Sequence, residues 1–285
     1  MRRWTFAKGH GTQNDFVLIQ DRESMLRIGP REVRAICDRR TGVGADGLLR
    51  AVKAKHIGEW SGDGELWFMD YRNADGSVAE MCGNGLRLFA RYLLEEDLAG
   101  GPTIQVATRN GLLEATALTD GRVRVSMGQV RLAAEPVTVT TSDGRDYSST
   151  AVDVGNPHAV SFTDELEDVP LATAPTWSPV DAFPSGVNLE FVRQLGRGHI
   201  AIRVFERGVG ETRSCGTGTV AAAASTAARA RVESAGESAE GSAASTYRVD
   251  VLGGTVEVEL SPEQAFLTGP AVIVAHGELC LSEEL

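Results

Sequence analysis

The chain is short of several things, and each shortage closes off a class of protein. It has four cysteines in 285 residues, Cys37, Cys82, Cys215 and Cys280, and no two are spaced as Cys-x-x-Cys. That is too few for a disulfide scaffold, and it fits neither a zinc ribbon nor a thioredoxin-type redox site. No metal site is expected. There is no apolar run long enough to span a bilayer, so no membrane association is expected. The start, MRRWTFAKGHGTQNDFVLIQ, carries two arginines but no apolar segment behind them. The sequence therefore predicts no signal peptide and a cytoplasmic location. Positive charge is also scarce: 28 Lys and Arg stand against 39 Asp and Glu, for a net charge of −11. Nothing supplies the basic stripe that a nucleic-acid partner requires.

What the chain has in surplus is glycine, 32 residues or about 11%, against a usual share of ~7%. Most of the surplus sits in a few short loops, which points to a site built from backbone. With 42% hydrophobic residues the chain can bury a real core, as one large domain or two ordinary ones. One glycine pattern occurs twice. EMCGNGLR spans Glu80 to Arg87 and RSCGTGTV spans Arg213 to Val220, so Cys-Gly-x-Gly recurs 133 residues on.

The surroundings recur too. ELWFMDYRN (65–73) and HIAIRVFER (199–207) alternate as strands do, and each is followed by a nine-residue step, Asn73 to Cys82 and Glu206 to Cys215. Downstream, 86–98 and 219–232 both read as helices with an apolar face. Upstream, Asn14 precedes Asp46 by 32 residues, and Asn156 precedes Asn188 by 32. The pattern predicts two similar α/β lobes related by a pseudo-twofold axis and facing a shared cleft. The first lobe is expected over 1–127, with 266–285 returning to it, and the second over 128–265. Residues 100–127 and 247–260 read as hairpins closing the lobes, 265–280 as a returning strand, and 233–245 as a low-complexity polar loop.

A thiol works as base or nucleophile in its thiolate form, and a helix N-terminus favours that form. Flanking glycines let backbone N–H groups converge on an anion such as a carboxylate. Two such elements suit two thiols acting on opposite faces of one small acid, one removing a proton while the other delivers one. Such chemistry needs no cofactor, and none is expected. Plainer readings apply elsewhere. Cys37, inside the helical REVRAICDRR, and Cys280, on the last strand, read as small buried hydrophobes. Any single asparagine reads as a cap or turn residue, and Glu206-Arg207 as a surface ion pair. GVGADG (42–47) matches G-x-G-x-x-G but follows no apolar strand, so it is a false dinucleotide signal.

NADGSVAEMCGNGLR, VGNPHAV, GVNLEFV and ERGVGETRSCGTGTVAAA, with KGHGTQNDFV at the start, together resemble diaminopimelate epimerase across nearly the whole chain. The resemblance implies an α/β (α+β) architecture of two pseudo-symmetric lobes, each with mixed and antiparallel strands wrapped around a central helix, assembled as a homodimer. It implies a cofactor-independent enzyme that interconverts LL- and meso-diaminopimelate, a small amino-acid substrate, for lysine and peptidoglycan synthesis. By position, Cys82 and Cys215 match the catalytic thiols, and His158 and Glu206 match the polar residues assisting them. Gly83 with Asn84, and Gly216 with Thr217, match the backbone that holds the reacting carboxylate. Asn14, Asn73, Asn156, Asn188, Glu206 and Arg207 match the residues gripping the rest of the substrate. Neutral amides plus one arginine suit a zwitterion with an amino-acid group at each end. Two departures stand out: Gly47 replaces a glutamine common in the family, and Gln13 stands where glycine is common. The rival readings are a proline or hydroxyproline racemase of the same fold, and a binding protein whose two thiols only form a disulfide.

Overall fold

The computed structural model describes residues 2–233 and 245–282. The polar loop read at 233–245 therefore lies, apart from its two end residues, outside the described residues. The elements run β1 (Arg2–Gly11), β2 (Asn14–Gln20), α1 (Pro30–Cys37), β3 (Gly47–Lys53), β4 (Trp67–Asn73), α2 (Gly83–Glu95), β5 (Thr103–Thr108), β6 (Gly111–Ala117) and β7 (Val123–Gly128). They continue with β8 (Arg131–Thr140), β9 (Asp146–Asp153), β10 (Pro157–Phe162), β11 (Thr176–Ser178), β12 (Asn188–Gly196), β13 (His199–Glu206) and β14 (Gly210–Thr212). The last are α3 (Gly216–Glu233), β15 (Ser245–Val251), β16 (Gly254–Leu260), β17 (Ala265–Gly269) and β18 (Val272–Leu281). The chain divides into two compact units, Met1–Val125 with Gly269–Leu285, and Ser126–Thr268.

The two units share one pairing scheme. In the first, β1 pairs antiparallel with β2, β2 parallel with β3, β3 antiparallel with β4, β4 parallel with β5, and β5 antiparallel with β6. In the second, β9, β10, β12, β13, β15 and β16 repeat that order of antiparallel and parallel neighbours. An outer strand completes each set: β18 lies antiparallel to β1, and β8 antiparallel to β9. Parallel neighbours need a crossover between them, and each unit places its long helix in one such connection.

Those helices are wrapped by strands. In the first unit α2 packs against β1, β2, β3, β4, β6 and β18, and in the second α3 packs against β9, β10, β12, β13, β15 and β16. The mixed α/β fold expected from the sequence is present. One detail differs: α3 was expected to show a single apolar face but is buried nearly all round, whereas α2 keeps the apolar face read in its sequence, with Arg91 and Glu95 on its less buried side. Residues Gly83–Ala90 and Gly216–Ala227 are buried without a break. A helix enclosed on all sides has no solvent face to mark in its sequence. Alanine suits α3 because small side chains let strands approach from every direction.

Leu86, Leu88, Phe89 and Leu93 of α2 are fully buried, as are Phe16, Leu49 and Met69 on the strands of the same unit. A second cluster, including Trp4, Val17, Val33, Ile36, Leu48 and Leu279, seats α1 on the opposite face of those strands. Cys37 belongs to it, 4% exposed, and burial pushes its thiol up to about 12, as befits an inert packing residue. Cys280 departs from expectation: it is exposed, because neighbours Leu279 and Leu281 take the inward positions of β18. GVGADG leads from α1 into β3, a strand rather than a helix, so it is no dinucleotide loop.

Phe89→Ala, which empties the centre of α2 where nothing can collapse inward, should cost about 3–5 kcal/mol. Urea denaturation of the variant against the unaltered protein measures this.

Candidate active site

The two Cys-Gly-x-Gly segments do not form loops ahead of their helices; they form the first turns. Cys82 is the N-cap of α2, with extended backbone at φ −145° and ψ 117°, and its sulfur accepts a hydrogen bond from the Gly85 N–H at 3.3 Å. Its carbonyl accepts from Leu86 N at 2.8 Å. Cys215 repeats the arrangement ahead of α3: Gly218 N–H reaches its sulfur at 3.4 Å, and Thr219 N reaches its carbonyl at 2.9 Å. An N-cap is ordinarily filled by Ser, Thr, Asp or Asn. Cysteine caps poorly, so its use at both helices is a chemical choice.

In the first unit the sulfur of Cys82 is half-buried and meets Asn14, which begins β2. Asn14 Oδ1 lies 3.5 Å from the sulfur and accepts from Asn84 Nδ2 at 3.2 Å, while its own Nδ2 donates to Asp46 Oδ2 at 2.8 Å. A carboxylate only accepts, so Asp46 fixes the amide with its oxygen toward the thiol. Asp46 is held in turn by Arg39 at 2.8 Å, and Arg39 and Lys8 both grip Asp15. Asp46 was noticed in the sequence for its spacing alone; its role as the fixed end of this network was not legible. Beneath the same turn lies Arg87, wholly buried, donating to Asn84 Oδ1 at 2.9 Å and Thr12 Oγ1 at 2.6 Å. Burial lowers its pKa to about 10, and among the described residues no carboxylate pairs with it. Thr12 and Gln13 turn between β1 and β2 with both φ positive, 57° and 62°. That is glycine's preferred region, and the Arg87 bond to Thr12 helps hold it.

Asn73 stands one step further out, at the end of β4. It accepts from Tyr71 Oη at 2.8 Å and donates to Ser77 Oγ at 3.0 Å, and it pairs across the strands with Gly47. A Cβ on Gly47 would lie 2.6 Å from the Arg72 carbonyl and 2.9 Å from the Tyr71 ring. A side chain at 47 is thus excluded by backbone, and the tyrosine fills the space beside it.

In the second unit Cys215 is only 7% exposed. Burial pushes its thiol well above the usual value, and the carboxylates of Glu206 and Glu190 push it further. Thr217 Oγ1 lies 3.5 Å from the sulfur and accepts from Asn156 Nδ2 at 3.3 Å. Asn156 Oδ1 is 2.9 Å from His158 Nε2, and His158 Nδ1 is 2.7 Å from Glu190 Oε1. Glu190 was passed over in the sequence, where GVNLEFV was read for Asn188 and for its family resemblance alone. Asn188 serves geometry: its Nδ2 donates to Pro157 O at 3.1 Å and its Oδ1 accepts from Arg207 N at 3.0 Å. Glu206 ends β13 and accepts from Thr212 Oγ1. Arg207 is exposed and reaches Ser185 O at 3.1 Å, so the pair expected between these neighbours is replaced by separate partners. A cavity of about 810 Å³ elsewhere in this unit, lined by residues including Leu171, Arg203, Phe205 and Glu211, contains none of these groups.

The sequence pattern of the diaminopimelate epimerase family matches residues 6–133 and 150–274. The chain belongs to the diaminopimelate epimerase family. It is 48% identical to the diaminopimelate epimerase of Streptomyces coelicolor over 281 residues, 97% of this chain and 95% of that one. The diaminopimelate epimerase of Thermobifida fusca is 45% identical, covering 97% and 98%. Among solved structures, a hydroxyproline epimerase from Agrobacterium vitis superposes with a TM-score of 0.70 at 16% identity, over 98% of this chain and 92% of that one. A likeness at that identity shows a shared fold. Membership of the family makes the chain an epimerase, as the motifs implied.

Two measurements test this geometry. Burial alone would raise the Asp15 carboxyl, but Arg39 and Lys8 outweigh it and hold it at about 2, against 3.8 unperturbed. A depressed pKa gives stability that is present above 3.8 and lost as pH falls toward about 2. Asp15→Asn should flatten the pH dependence of unfolding in that window, read by denaturation at stepped pH. Gly47→Ala, which forces β3 off the Arg72 carbonyl, should destabilise by about 1–3 kcal/mol, read as a lowered melting temperature.

Proposed function

We propose that this enzyme interconverts LL- and meso-diaminopimelate by a two-base exchange, with Cys82 and Cys215 as the proton carriers, in lysine and peptidoglycan synthesis. The observation that supports it most is the capping of two enclosed helices by cysteine, in a chain of this family. In each direction a thiolate takes the α-proton from one side of the carbon, and the other thiol gives its proton to the opposite side. One proton leaves the substrate and one enters, so the two sulfurs finish with exchanged protonation states, and no redox partner is consumed. The first-turn N–H groups that no intrahelical carbonyl satisfies suit the substrate carboxylate, whose negative charge grows in the carbanion-like transition state.

Asn14, Asn73, Asn156, Asn188 and Arg207 are suited to the distal amino-acid group. Their amides are pre-oriented by fixed partners, Asp46 for Asn14 and Tyr71 for Asn73. A substrate lacking the far ammonium or carboxylate would leave such groups unpaired, which costs far more than an ill-fitting methylene. His158 and Glu206 act beside Cys215.

The test is turnover in deuterated water. The reduced protein should place deuterium at one α-carbon of LL-diaminopimelate while meso product appears, read by mass spectrometry and chiral separation. Cys82→Ala and Cys215→Ala should each lower epimerisation by at least ~10³-fold while leaving the melting temperature nearly unchanged. Near-normal turnover in either variant would sink the two-base mechanism. Exchange into proline or hydroxyproline, but not diaminopimelate, would overturn the substrate.

A further inference from the structure

Glu190 is the least accounted-for group in the second unit. It sits on β12, two residues past Asn188, and both it and His158 are wholly buried. One of its oxygens contacts His158 Nδ1 at 2.7 Å; the other, Oε2, has no partner among the described residues. A solitary buried carboxylate is strongly disfavoured unless it is protonated or faces a cation. Its neighbour on α3 is Gly218, whose Cβ, if it had one, would lie 2.4 Å from Glu190 Oε1. The same glycine gives its N–H to the sulfur of Cys215 at 3.4 Å. Glycine therefore lets a carboxylate press against the very turn that caps the thiol.

The hydrogen bonds along this chain tie the positions of its protons to one another. Asn156 Oδ1 faces His158 Nε2, and Asn156 Nδ2 faces Thr217 Oγ1. In that arrangement His158 Nε2 carries a proton, and Thr217, having accepted from the amide, can turn its own O–H toward Cys215 Sγ. His158 Nδ1 and Glu190 Oε1 are then two acceptors in close contact, which requires one more proton between them. If that proton is lost, His158 donates from Nδ1 instead and Nε2 becomes an acceptor. The Asn156 amide must turn over, Thr217 donates to it, and the sulfur becomes the donor. Each direction is self-consistent, and they differ in which end of the chain holds a proton.

We propose that Glu190 is a positioning residue for Cys215: through His158, Asn156 and Thr217 it shares one negative charge with the sulfur, so that the Glu190–His158 pair gains a proton when Cys215 gives one up. No bond but N–H, O–H and S–H changes, and no co-reactant is needed. Cys215 faces Glu190 on β12 and Glu206 on β13, and both raise its thiol. Glu190 faces His158 on β10. The buried side chains of β15 and β16, Val249, Val256 and Val258, carry no charge, and Tyr247 answers to Arg231 and Arg197. Ser149 and Val152, buried on β9, carry none either.

The role in catalysis rests on the epimerase reading, but the test does not. Peptide-resolved alkylation of the intact protein by iodoacetamide across pH gives the midpoint at which Cys215 becomes reactive. Glu190→Gln removes the shared charge and, through its amide N–H, holds His158 protonated at Nε2. The Cys215 midpoint should then fall by about one pH unit or more, a tenfold gain in thiolate at a given pH. Glu190→Asp draws the acid back from His158 and should lower the midpoint by less; it carries the test if the glutamine variant does not fold by thermal melt. The pH profile of kcat should move with the midpoint while KM for the substrate holds. A folded variant whose Cys215 midpoint matches the unaltered protein, with activity lowered equally at every pH, overturns the proposal and leaves Glu190 a packing group. A shifted midpoint in the variants of a protein whose unaltered form does not turn over diaminopimelate leaves this proposal standing and defeats the proposed reaction.

Discussion

Everything in this molecule is arranged around a sulfur at the end of an enclosed helix. A helix leaves its first N–H groups without intrahelical partners, and an interior helix cannot give them to water. Here one in each helix goes to a cysteine side chain, Gly85 N–H at 3.3 Å in α2 and Gly218 N–H at 3.4 Å in α3. The strands close round the remaining turns, so the N-terminal turn is where the backbone polarity of the core comes to a point. Glycines keep that point bare. The same element thus sets a thiol beside bare first-turn backbone, and its duplication gives the chain two such turns.

The two copies are alike in backbone and unlike in charge. Beneath Cys82 lies a buried guanidinium, Arg87. Against Cys215 lie carboxylates, Glu206 and Glu190. The amides differ as well: Asn14 is oriented by a charged group, Asp46, whereas Asn156 is oriented by a histidine and a hydroxyl. The scaffold repeats, and the electrostatics around each sulfur differ.

Much of this was legible in the sequence because it follows from short-range rules. Strand alternation, the doubled Cys-Gly-x-Gly and the nine-residue step located both helices and both thiols. The spacing of 32 had a physical basis in the first unit, where Asn14 and Asp46 are bonded directly. In the second it reflects register, since β10 and β12 run parallel with His158 opposite Asn188. What escaped was set by tertiary surroundings. Glu190 was passed over in GVNLEFV, yet a helix covers both its strand and its neighbour. Cys280 looked inward by composition, yet its parity on β18 turns it to solvent. The single apolar face read for α3 is absent because the helix is buried all round, and a face exists only as the contrast between a wet side and a dry one. Gly47 read as a missing contact, where the structure has a tyrosine ring and a carbonyl occupying the place of any side chain.

The first unit is assembled from two segments that lie on either side of the second in the sequence. β1, which carries residues 2–11, finds its outer partner in β18, with Arg2 opposite Leu281. Arg87, under the Cys82 turn, reaches the carbonyl of Pro270 at 3.4 Å. During synthesis, which proceeds from the N-terminus, the residues around Cys82 emerge early and wait for this closing strand until the whole of the second unit has been made. The second unit, Ser126–Thr268, is contiguous and owes nothing to so late an arrival. The half of the machinery made first is therefore the half completed last.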